Sequence, residues 1–108
     1  MQQEYRECVE LCYACAAACD NCAVSCLGED NVKMMENCIR LDMQCAAVCR
    51  LAAQFMALDS DHVKQVCRLC SDICKACAQE CARHEHDHCQ QCAQACNKCA
   101  DACLRMVA

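Results

Sequence analysis

Cysteine recurs along this chain at alternating gaps of three and four residues. Cys8, Cys12, Cys15, Cys19, Cys22 and Cys26 form a first block, and Cys38, Cys45 and Cys49 a sparser second. Cys67, Cys70, Cys74, Cys77 and Cys81 form a third, and Cys89, Cys92, Cys96, Cys99 and Cys103 a fourth. The gaps average about 3.5, the period at which one face of a helix meets its packed neighbours, whereas a strand would repeat every second residue. Each block therefore predicts one helix with a stripe of thiols where a bundle normally places leucine.

The rest of the sequence agrees. Among 108 residues there is no proline and one glycine, Gly28, and the only aromatics are Tyr5, Tyr13 and Phe55. Ala, Gln, Glu, Lys and Arg fill the gaps between cysteines and favour helix. Gly28 suits the C′ position of the first helix. Asp30 or Asn31 is expected to cap the second, Asp59 or Ser60 the third, and Asp87 with Gln90 resembles a capping box for the fourth. Short connections make sequential helices antiparallel. The expectation is one all-α domain over residues 1–108, an up-down-up-down four-helix bundle with a cysteine-lined core and helices of about 20 to 27 residues. The seam of the second helix runs Met35, Cys38, Asp42, Cys45, Cys49, Ala52, Met56. Two readings stay open there: Asp42 faces the thiols, or Leu41 rotates inward and Asp42 lies at the flank.

Topology gathers Cys26, Met34, Met35, Cys81, His84, His86, His88 and Cys89 at one end. It puts Cys8, Met56, His62, Cys67, Cys103 and Met106 at the other. The third seam extends to His84 and the fourth to Met106.

Nineteen cysteines need a chemical reason. As plain core they underfill a bundle, because interiors are close-packed and voids destabilise. As disulfides they leave an odd thiol, and pairs one turn apart on a helix suit the S–S torsion poorly. The polar, acidic start MQQEYRECVE carries no secretory pattern, so a reducing cytoplasm is expected, where dense cysteine more often means metal. Thiolates are the ligands, and an array of bare buried charges is untenable. One monovalent cation per thiolate removes that charge and fills the space. Soft thiolates select Cu(I), zinc and iron–sulfur clusters. The CxxC pairs lie inside helical heptads, without the glycine or proline of a zinc knuckle or the Cys-Pro of a bacterial cluster motif. Eight CxxxC pairs, 8–12, 15–19, 22–26, 45–49, 70–74, 77–81, 92–96 and 99–103, form a ladder suited to Cu(I) in two- or three-coordinate sites.

Carried by that CxxxC/CxxC ladder, the whole chain resembles the copper storage proteins, in particular their cytosolic bacterial branch. The resemblance implies a cysteine-lined four-helix bundle loaded with many Cu(I) ions, a homotetramer, and a histidine- and methionine-bearing open end for the metal, here Met35, His84, His86 and His88. The function expected is cytoplasmic Cu(I) storage and detoxification by all nineteen cysteines with those four residues. The alternative is a metallothionein-like zinc or mixed-metal buffer. Nineteen near-equivalent thiols provide no privileged nucleophile, and no catalytic motif stands beside them, so no enzyme is expected.

A net charge of −5 argues against a nucleic-acid face, and no apolar run approaches the length of about 18 residues that spans a membrane. An apolar row on the second helix (Leu41, Val48, Leu51, Phe55, Leu58), with Val66, Leu69 and Ile73 on the third, flanks the seam and suggests a homo-oligomer. The partners expected are copper ions, further copies of this chain, and a copper donor or acceptor protein.

Overall fold

The computed structural model describes residues 1–108 and contains four helices. They are α1 (Gln3–Leu27), α2 (Glu36–Ala57), α3 (Val63–Ala82) and α4 (Asp87–Arg105), with a single 3-10 turn, Val32–Met35, leading into α2. Each helix packs on two neighbours, α1 on α2 and α4, α3 on α2 and α4, while the diagonal pairs make no backbone approach. The result is the expected antiparallel four-helix bundle, a column of 44 × 19 × 18 Å.

The heptad spacing explains the packing. All nineteen cysteines are buried and unpaired, and they fill the space between the diagonals. Alanines are buried beside them, among them Ala16 on α1, Ala52 on α2, Ala78 on α3 and Ala100 on α4. These small side chains let the backbones approach. Ser71, also buried, bridges α3 to α4 by donating its hydroxyl to the Ala100 carbonyl at 3.0 Å. Met35 and Met56, the two largest fully buried side chains, lie at opposite ends of α2. Met106, just past α4, is half-buried near Met56's end of the bundle.

The connections differ from the expected caps. Gly28 follows α1 directly with φ −88° and ψ −2°, an ordinary right-handed conformation that any residue adopts. Asp30 caps nothing, and Asn31 precedes the 3-10 turn without a side-chain cap bond, so α2 begins only at Glu36. The extra turn carries the chain from α1 across to α2. Asp59 takes the left-handed φ of 53° that reverses the chain after α2, and Ser60 Oγ accepts the His62 N–H at 3.0 Å from two residues before the cap position of α3, which His62 occupies. Asp87 is the first residue of α4 and His86 occupies the cap position. Gln90 Nε2 instead donates to the carbonyls of Ala82 (3.1 Å) and His84 (2.7 Å), tying down the end of α3. That reach across the turn satisfies carbonyls that α3 leaves unpaired. Because α3 stops at Ala82, His84 lies on the connection and not on the helical seam.

Of the apolar flank, Val48 and Val66 are buried, Leu41, Phe55 and Ile73 are half-buried, and Leu51, Leu58 and Leu69 remain exposed. No helix is long and apolar enough to cross a membrane.

Candidate metal centre

The thiols form one continuous column. Sulfur atoms gather in fours within 4.8 Å of one another, and four of these groups are chained through shared members. Cys12, Cys70, Cys99 and Cys103 make one group; Cys99 also belongs with Cys15, Cys49 and Cys74; Cys15 also belongs with Cys19, Cys45 and Cys96. Cys19 and Cys96 then join Cys77 and Cys92, and Cys22, Cys26, Cys38 and Cys89 make a group near the 3-10 turn. The closest pairs cross between helices: Cys38–Cys81 and Cys45–Cys74 at 3.4 Å, and Cys15–Cys96 at 3.6 Å. Five CxxxC pairs stand slightly wider within their own helices, 22–26, 45–49, 77–81 and 92–96 at 3.9 Å and 70–74 at 3.8 Å. At a metal–thiolate length of about 2.3 Å, ligands of a trigonal ion stand about 4.0 Å apart, of a tetrahedral ion about 3.8 Å and of a linear ion about 4.6 Å. The column is therefore spaced for three- or four-coordinate soft metal with little movement of the helices, and a linear ion would spread the pairs.

Two influences act on these thiols. Burial raises Cys26, and pushes Cys89 up to about 11, because a thiolate there loses its hydration. Hydrogen bonds with Cys22 and Cys81 pull Cys38 the other way. Protons are thus held by a coupled array and not by single residues.

Asp42 interrupts the column from α2. It is fully buried while Leu41 is only half-buried, so the seam reading of Asp42 is the correct one. Its Oδ1 accepts from the thiols of Cys77 (3.3 Å), Cys92 (3.3 Å) and Cys81 (3.4 Å), and Cys38 lies 3.8 Å from Oδ2. Burial, then the neighbouring Cys92, pushes its carboxyl up to about 10, so it is a neutral acid at pH 7.

The end carrying the α1–α2 and α3–α4 connections is built from imidazole. His88 Nδ1 lies 3.5 Å from Cys89 Sγ and 3.9 Å from Cys26 Sγ. His86 stacks on it with centroids 5.4 Å apart and planes tilted by 4°. Met35 is buried at this end, and Met34 points out to solvent. His84 bonds Glu80 through Nε2 at 2.8 Å, beside a surface recess lined by Lys33, Met34 and Glu36. The histidine against the thiols is therefore His88, although the register singles out His84. Glu29 escaped the sequence reading: it holds both His88 Nε2 (3.2 Å) and His86 Nδ1 (3.4 Å). Nothing near Glu29 in the chain signals this. Only the meeting of the two connections would have pointed to it. His62 and Met1 at the opposite end, and Met43 beside Asp42 on α2, are exposed and take no part in the column.

Comparison with known proteins supports the same chemistry. The family model described as copper storage protein matches residues 1–108. A Bacillus subtilis protein, the cysteine-rich YhjQ, is 47% identical over 88 residues, 82% of each chain. The structure of Cu(I)-bound copper storage protein BsCsp3 superposes with a TM-score of 0.94 at 47% identity, covering 98% of this chain and 100% of that one. A cytosolic copper storage protein from Streptomyces lividans, carrying five coppers, gives a TM-score of 0.94 at 39% identity over 97% of this chain and 92% of its own. With its full length matched and its cysteine column in place, the chain belongs to the copper storage protein family.

Proposed function

We propose that this chain stores Cu(I) in the cytoplasm, holding many ions on its nineteen cysteines and so keeping reactive copper from other cell components. The observation that carries the reading is the column itself: nineteen buried, unpaired thiols in groups that share sulfurs. A closed apolar lumen tolerates little net charge. One Cu(I) per thiolate leaves the column neutral, whereas a zinc ion held by four thiolates leaves two negative charges behind. Charge balance therefore favours copper over the zinc or mixed-metal buffer, even though the sulfur spacing suits either. The cytosolic Streptomyces relative and the BsCsp3 likeness support the same assignment.

In this reading residues 1–108 act as one storage unit without catalytic activity. Copper arrives at the imidazole end past His86, His88 and Met35 to Cys26 and Cys89, then passes between neighbouring sulfurs. His84 lines the same end from the side. The exposed Leu51, Leu58 and Leu69, beside half-buried Leu41, Phe55 and Ile73, form a face suited to further copies of this chain, in keeping with the tetramer that the resemblance implies. A copper donor or acceptor protein would meet the imidazole end.

The test is an anaerobic Cu(I) titration of the reduced protein against a chromophoric chelator, with zinc in parallel and a pH-stat recording protons. Uptake near the thiol count, with about one proton released per ion and unchanged helicity, is expected. Saturation at a few ions, or preference for zinc, refutes storage.

A further inference from the structure

We propose that Glu29 is the positioning residue of the imidazole end, holding His88 so that a bare Nδ1 faces the first thiols that incoming Cu(I) meets. The inference rests on the storage reading above and adds to it a residue that touches no thiol.

A carboxylate oxygen only accepts hydrogen bonds. Glu29 Oε1 lies 3.2 Å from His88 Nε2, so Nε2 carries the ring proton. In the neutral ring Nδ1 is then left with its lone pair, 3.5 Å from Cys89 Sγ and 3.9 Å from Cys26 Sγ. A ring of the other tautomer would offer those sulfurs an N–H and no ligand. The same carboxylate reaches the stacked ring, with Oε2 3.4 Å from His86 Nδ1. One side chain from the α1–α2 connection thus sets two rings on the α3–α4 side, and it does so where the column begins. An acceptor behind a metal-binding imidazole fixes its tautomer and orientation. Glu29 supplies that acceptor, and its side chain is itself 28% exposed, so its removal leaves the helical core intact.

Three proteins decide the matter: the parent, Glu29→Gln and Glu29→Ala. Glutamine keeps an accepting oxygen and drops the charge; alanine drops both. The first readout is nitrogen-resolved NMR of the metal-free protein at mildly alkaline pH, following the His88 Nε2–H proton. The second is the rate of Cu(I) transfer from a chromophoric chelator complex. The parent and Glu29→Gln should retain a slowly exchanging Nε2–H and similar rates. Glu29→Ala should lose that resonance and take up copper about tenfold more slowly, with final capacity and helicity unchanged. Equal rates in all three overturn the proposal, as does an Nε2–H that persists in Glu29→Ala. A glutamine variant as slow as alanine also overturns it, because Glu29 would then act by attracting the cation. The NMR readout needs no metal. A parent that binds no copper while the three spectra differ as expected refutes storage and leaves the ring positioning standing.

Discussion

Replacing Asp42 with asparagine removes the only buried carboxyl while keeping its shape. The groups facing it are Cys38 on its own helix, Cys22 on α1, Cys77 and Cys81 on α3 and Cys92 on α4, so no cation offsets its charge. Its carboxyl is pushed up to about 10 in the fold, against about 4 in an unfolded chain. A group raised in this way leaves stability undiminished below about pH 4. Above that the unfolded state ionises and the folded state does not, so stability falls by about 1.4 kcal/mol per pH unit until about pH 10. At pH 7 the loss is about 4 kcal/mol, and asparagine escapes it. The amide needs acceptors of its own, which adds an offset, but that offset does not vary with pH. The slope is therefore diagnostic. Urea unfolding of the metal-free, fully reduced proteins between about pH 5 and about pH 8 should show the Asp42→Asn advantage growing by about 4 kcal/mol. The thiols titrate in both proteins and largely cancel in the difference. Parallel stability curves would mean that Asp42 is ionised in the fold and would refute the argument from burial.

Two further outcomes follow from geometry. A Cβ added at Gly28 meets only the Ser25 carbonyl oxygen, at 3.5 Å, so Gly28→Ala should stabilise the chain by about 0.5 kcal/mol through the unfolded state, and a clear fall in melting temperature would contradict the right-handed backbone there. Cys15 is shared by two groups of four thiols. If, as proposed, each thiolate is balanced by one ion, Cys15→Ala should lower Cu(I) capacity in the chelator titration by about one ion; a loss of about four would indicate separate, self-contained sites.

The cysteine spacing was enough to read the four helices and their inward faces, because a period near 3.5 leaves one face to bury. It also placed Asp42 on the seam, though not against the rival inward turn of Leu41, since neighbouring positions lie close around a helix. The connections were less legible. A polar side chain next to a helix end satisfies the capping pattern whether or not the backbone puts it in reach, and the 3-10 turn before α2 moved Asp30 and Asn31 away from that helix. His84 continues the third seam only while the helix continues, and α3 ends two residues earlier. Glu29 meets His88 across 59 positions, a pairing that follows from how the helices assemble and from nothing local.

A column has an order that a compact cluster lacks. With copper arriving at the imidazole end, the sulfurs of Cys8, Cys67 and Cys103 are the most distant, and those of Cys26 and Cys89 the nearest. On the proposed entry route, ions already inside exchange with newcomers through the intervening rungs. A store filled by that route would work as a stack: the copper deposited last would be the first available for withdrawal, and the earliest would become a long-lived reserve. Loading with one copper isotope, topping up with another and partly unloading with a chelator would reveal this history, and isotopes released in proportion to their totals would show instead that the contents mix freely.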